Sequence, residues 1–107
     1  MKEGTARLKR SLRNSLLVLV GALALTACAS APVQEMSDAR QAIEAARAAG
    51  GDHYTPETLT EARTLLNQAT DDLARGEYAE ARTAALQARQ RAIFARHASL
   101  AVQPGKK

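Results

Sequence analysis

The chain has 107 residues and a formal net charge of +4; 46% of its residues are apolar but only 3% are aromatic, and it has no tryptophan. That length holds one small domain at most, and its 24 alanines favour helix over strand and leave little bulk for a large core. A basic chain invites a nucleic-acid reading. Here the basicity lies wholly in the first 27 residues, where Lys2, Arg7, Lys9, Arg10 and Arg13 face Glu3 alone, while the remainder carries ten basic and ten acidic side chains. No nucleic-acid partner is expected.

The first predicted element, residues 1–27, has the layout of a secretory signal. A cationic stretch runs to Arg13, and an apolar run follows from Leu16 to Leu25. Ten residues are too few to span a bilayer, which takes roughly twenty. Small residues come next, and then Cys28, the chain's sole cysteine.

Leu25-Thr26-Ala27-Cys28 resembles the lipobox of bacterial lipoproteins: an aliphatic residue, two small ones, then cysteine. Small residues let an extended chain enter a peptidase site, and the thiol must reach a lipid donor at the membrane surface. The resemblance implies that Cys28 Sγ receives diacylglycerol, that the bond before Cys28 is cut, and that the new amine is acylated. Three acyl chains of about fifteen methylenes, at roughly 0.8 kcal/mol each, would hold the protein by up to about 35 kcal/mol. With Cys28 consumed, no thiol is left for disulfide, metal or nucleophilic work. Ala29, rather than Asp, follows the cysteine. Under the Gram-negative sorting rule this implies the outer membrane, in the leaflet facing the periplasm.

Residues 28–36 are expected to form a lipidated tether, with Pro32 breaking any early helix. The folded part is then expected over 37–103, followed by a tail, 104–107. Ser37 suits the N-cap of a first helix, Asp38 to Ala49, which Gly50-Gly51 would stop. Met36, Ala39, Ile43 and Ala46 make one narrow apolar stripe on it. Thr55-Pro56-Glu57 is a helix start, with Thr as N-cap, Pro in the first position and acid in the first turn. This second helix runs to about Arg75 and buries Leu59, Ala62, Leu66, Ala69 and Leu73; Gly76 ends it. The third begins near Glu77 or Tyr78 and reaches about Val102, before Pro104-Gly105. Tyr78, Ala81, Ala85, Ala88 and Ala92 form its inward stripe. Leu86, Ile93 and Leu100, seven apart, form a second row on an adjoining face; they are the candidate surface for a protein partner or for self-association, the alternative being that the first helix covers this row.

A short repeat places Asp38-Ala39-Arg40, Glu61-Ala62-Arg63 and Glu80-Ala81-Arg82 early in the three helices. Helix, glycine turn, Tyr78 and Ala81 together resemble the inter-helix turn of tetratricopeptide-like hairpins, but the length allows barely one and a half such repeats. The expected fold is therefore all-α: an antiparallel helical hairpin preceded by one shorter helix, all after the signal peptide. Charge is divided along it, with a net −6 from Ala29 to Glu80 and +6 from Ala81 to Lys107. Antiparallel packing would let these halves pair internally; contact of the basic helix with anionic headgroups or an acidic partner is the rival reading.

Chemistry-bearing patterns are few. His53 and His97 lie far apart in sequence, and His53 and Glu57 straddle the start at Pro56, so no metal site is expected. Asp71-Asp72 and Glu77/Glu80 read as solvated helix ends. No phosphate-binding glycine loop or nucleophile elbow is present. Neither a cofactor nor catalysis is expected.

With Ser37-Asp38-Ala39-Arg40, Ala45-Ala46, Tyr54-Thr55-Pro56-Glu57, Leu59, Ala62 and Gly76-Glu77-Tyr78 in view, the chain resembles a family of short proteobacterial lipoproteins. They carry an uncharacterised helical domain, alone or ahead of an OmpA-like wall-binding domain. The resemblance covers most of residues 25–95 and implies a lipid-anchored protein of the periplasmic side of the outer membrane. No catalytic residues come with it. The chain ends at Lys107 with no OmpA-like segment, so direct peptidoglycan binding is not supported. A non-catalytic interaction module of the envelope is the expected function. The alternative is a structural wall linker, in which Lys106-Lys107 would act as in the small lipoprotein joined to peptidoglycan through a terminal lysine; Gly50-Gly51 and Gly76 break the long coiled coil such a spacer needs.

Overall fold

The structure is a computed structural model that describes residues 9–19 and 30–105. The chain divides into two compact units, Met1–Ser30 and Ala31–Lys107. In the first unit, residues 9–19 form helix α1. The remaining regular elements are α2 (Val33–Ala48), the four-residue α3 (Gly51–Tyr54), α4 (Pro56–Ala74) and α5 (Tyr78–Val102). Among the described residues no strand occurs, and no helix is long and apolar enough to cross a membrane. The fold is all-α.

Helix α2 starts five residues before the expected Asp38. Pro32 takes the N-cap position and Ser37 lies inside the helix, where it caps nothing. Proline suits a helix start because the N–H it lacks would have no intrahelical partner there. The expected break at Pro32 is thus a beginning, and half of the expected 28–36 tether is folded. The ring of Pro32 is fully buried and Met36 is in the core, so packing pulls this segment in. At the other end Ala49 and Gly50 close the helix, with Gly50 at φ 88° as the left-handed glycine after the last turn.

The connection to α4 is itself helical, which the periodicity did not indicate. In α3 the backbone of Gly51 comes so close to α2 that an added Cβ would stand 2.8 Å from the Ala46 carbonyl oxygen and 3.0 Å from Leu59. Thr55 does precede α4 and Pro56 opens it, as the motif predicts, but the Thr55 hydroxyl makes no cap bond. It lies 3.0 Å from Ser99 Oγ and within reach of the carbonyl oxygens of Gly51 (3.3 Å) and Ala95 (3.4 Å). Two hydroxyl protons thus serve two hydroxyls and a carbonyl, which satisfies the fully buried Ser99.

A tight turn at Arg75–Glu77, with Gly76 at φ 76°, reverses the chain into α5. Helices α4 and α5 form the expected antiparallel hairpin. Helix α2 runs parallel to α5: Glu35 meets Arg82 at one end, and the Gln103 side-chain amide donates to the Ala49 carbonyl at the other. Helix α5 packs along both neighbours and supplies six of the fourteen buried hydrophobic side chains among the described residues.

Among the described residues, eleven of the fourteen buried hydrophobic side chains are alanine; Met36, Ile43 and Leu59 are larger, and the ring of Pro32 adds to them. Ile43, Ala46, Leu59, Ala62, Ala92 and Ala95 form one cluster, and Met36, Ala69, Ala84 and Ala85 a second, nearer the Gly76 turn. Alanine lets helix backbones approach closely, so the repeated triplets have a structural meaning. Ala39, Ala62 and Ala81 are all fully buried. The second and third copies continue into a threonine, and Thr64 and Thr83 each donate to the carbonyl four residues back, at 3.0 and 3.1 Å. The predicted inward stripes agree with the structure except at Tyr78, which is exposed, and α5 also buries Ala84, Ala95 and Ser99.

Candidate functional site

The outer face of α5 is where this bundle leaves bulk uncovered. Seven-residue spacing, about two turns, brings Leu86, Ile93 and Leu100 to one side of the helix. Leu86 and Ile93 are 42% and 36% exposed and Leu100 is half-buried, so α2 does not cover the row. Phe94, 61% exposed, adds an aromatic ring next to it. Sequence spacing left Phe94 out because it turns away from the heptad row. Its distance of eight from Leu86 was the available signal, since residues eight apart share a helix face.

Phe94 also borders a shallow groove of about 520 Å³ between α4 and α5, with Glu61, Leu65, Gln87, Gln90 and Arg91. Arg91 Nε forms an ion pair with Glu61 Oε1 at 3.2 Å across it. Four of its six lining residues are polar, and it is open to solvent.

The divided charge is resolved in two ways. Arg82 and Arg91 pair with acids of α2 and α4, as internal packing predicts. Arg89 and Arg96 are exposed, and neither forms an ion pair among the described residues. No acid follows Glu80 in the chain, so the exposed side of α5 mixes apolar bulk with positive charge.

Elsewhere, Asp52 of α3 accepts from Arg63 (3.0 Å) and Arg47 (3.4 Å), which ties α3 to α4 and α2. The Arg63 hydrogen bond, with help from Arg47, holds the Asp52 carboxyl below its usual range. Asp72 departs from expectation. The Asp71-Asp72 pair reads in sequence as a solvated helix end, yet Asp72 is buried on the inward side of α4, three residues from Ala69. Its Oδ1 accepts from Arg75 at 2.5 Å, while Oδ2 has no hydrogen-bond partner.

His53 stacks edge-on against Tyr54, with ring centroids 4.7 Å apart, and His97 is exposed on α5. Among the described residues no three His, Cys, Asp or Glu side chains converge as a metal site requires. Leu25, Thr26, Ala27 and Cys28, expected to direct lipidation, and Lys106 and Lys107 lie outside the described residues.

Compared with known proteins, the chain matches one family profile, a domain of unknown function (DUF4398), over residues 34–103. That span opens one residue into α2 and closes at Gln103, so it takes in nearly the whole helical unit. No curated protein and no solved structure matches the chain.

Proposed function

We propose that this chain, which belongs to the DUF4398 family of domains of unknown function, is a non-catalytic interaction module of the bacterial envelope, held at the periplasmic face of the outer membrane by lipid on Cys28. The leader supports the anchoring: a cationic stretch, a ten-residue apolar run and Leu25-Thr26-Ala27-Cys28 stand in the order that lipoprotein processing uses. Ala29 supports the outer membrane as destination.

One observation carries the interaction role. In a bundle whose interior is mostly alanine, Leu86, Ile93 and Phe94 stand on the surface of the helix that organises the fold. Large apolar side chains left outside while small ones fill the core mark a face meant for a protein partner. Arg89 and Arg96 beside them favour a partner with acidic groups around an apolar centre.

A photo-crosslinking residue placed at Ile93 in growing cells tests this. The reading expects a discrete adduct with one other envelope protein, which a crosslinker on the outer side of α4, at Thr64, does not give. Adducts between copies alone, or none, would count against it in favour of a structural role.

A further inference from the structure

The folded unit begins almost at the cysteine. Pro32 is fully buried and α2 starts at Val33, so only Ala29, Ser30 and Ala31 separate Cys28 from the body. Even fully extended, the four steps from Cys28 to Pro32 span at most about 14 Å. A headgroup layer is itself about 5–7 Å deep. A lipid on Cys28 would therefore hold one particular end of the bundle at headgroup level.

Helix directions identify that end. Glu35 at the start of α2 pairs with Arg82 in the first turns of α5, and Met36 packs with Ala69, Ala84, Ala85 and Leu73. The start of α2, the Arg75–Glu77 turn and the start of α5 thus lie together. This end also exposes two apolar groups, Val33 (67%) and Tyr78 (39%). A tyrosine with its ring in the interface and its hydroxyl in water suits a headgroup layer.

We propose that the end formed by Val33, the Arg75–Glu77 turn and Tyr78 rests on the headgroups of the membrane that holds the Cys28 lipid. This rests on the lipid anchoring proposed above and extends it to an orientation. Helix α5 then rises from the bilayer. Leu86 stands about 12 Å and Leu100 about 33 Å beyond Tyr78 along its axis, and the apolar face meets a partner close to the membrane.

Charge does not do the holding. Glu35, Asp38, Asp71, Glu77 and Glu80 outnumber Arg75 and Arg82 at this end. The contact is one with zwitterionic headgroups, enforced by the short tether, and anionic lipid should weaken it.

The test uses the full chain, purified from cells that process it and placed in phosphatidylcholine vesicles. Val33, Arg75, Tyr78, Phe94 and Val102 are changed to cysteine one at a time and labelled with an environment-sensitive fluorophore. The mass of each protein is measured first. Absence of acyl mass on Cys28 refutes the anchoring reading itself. With acylation present, labels at 33, 75 and 78 should be quenched by iodide several-fold less than those at 94 and 102, and quenched more by a nitroxide headgroup lipid. Equal quenching at all five positions, or shielding at 94 rather than at 75 and 78, overturns the orientation and leaves the anchor intact. Ten Gly/Ser residues inserted between Ser30 and Ala31 should abolish the shielding. Shielding that survives the insertion overturns the tether as its cause.

Discussion

Arg82 Nε donates to Glu35 Oε1 across 3.1 Å, joining side chains 47 residues apart in sequence at the start of α5 and the start of α2. Both are partly shielded from water, so the pair is stronger than a fully solvated one, and it fixes α2 parallel to α5. In a double-mutant cycle of Glu35→Gln and Arg82→Gln, chemical denaturation should give a coupling of about 0.5–1 kcal/mol that shrinks with added salt. Additive effects of the two changes would remove the pair from the account of α2 docking.

Acid should loosen the α3 corner. Asp52 is held below the usual carboxylate range by Arg63 and Arg47. In the window between its ordinary and its folded value, the unfolded chain binds the extra proton. The contribution of Asp52 is thus complete above the ordinary carboxylate value and is lost as pH falls from there through the lower, folded value. Thermal midpoints from pH 6 down to pH 3 should fall less steeply for Asp52→Asn than for the wild type. Parallel curves would show that Asp52 adds nothing.

Three glycines look alike in sequence and should not behave alike. Gly76 needs only its left-handed backbone, since nothing lies within 4 Å of an added Cβ. Gly76→Ala should cost about 1 kcal/mol. Gly50→Ala meets the same backbone penalty and also presses the Tyr54 ring at 2.9 Å. Gly51→Ala would drive a methyl against the Ala46 carbonyl, which is backbone and cannot swing aside, and should cost about 2 kcal/mol or more through strain between α2 and α3. Equal midpoints for Gly51→Ala and Gly76→Ala would contradict this packing.

Asp72 is the costliest polar group in the interior. One oxygen has Arg75 and the other has no partner, while Arg75 is itself largely solvated and bonded also to Glu77. Removing the carboxylate leaves no buried charge behind, so Asp72→Leu should be neutral or should stabilise the fold by about 1 kcal/mol. A loss of stability would mean that the Asp72–Arg75 bond holds the turn into α5.

Most of this fold was legible in the sequence, because local signals and packing agree there. Thr55-Pro56 and Gly76 bracket α4 where their chemistry predicts, and the stripes from Met36 to Ala46 and from Leu59 to Leu73 face inward. The misses have physical causes. Pro32 starts a helix or breaks one, and only the burial of its ring against the bundle decides which. The α3 turn depends on a backbone approach at Gly51 that leaves no periodicity. Asp72 falls on an inward position of α4, which a count of acids near a turn does not show.

On the candidate surface, the heptad spacing of Leu86 and Ile93 identified exposed residues, but Phe94 entered only with the geometry of the α4–α5 groove. Ion pairing was legible only in part. Arg82 and Arg91 find acids on neighbouring helices, while Arg89 and Arg96 do not, a distinction that depends on helix rotation rather than on composition.

The most direct test of the proposed anchoring is metabolic labelling of cells with a palmitate analogue, read together with fractionation of the wild type and Cys28→Ser. The account predicts label on the wild type in the outer-membrane fraction, no label on Cys28→Ser, and its appearance as a soluble or unprocessed protein. An unlabelled wild type, or a Cys28→Ser protein that still partitions with the outer membrane, would contradict it.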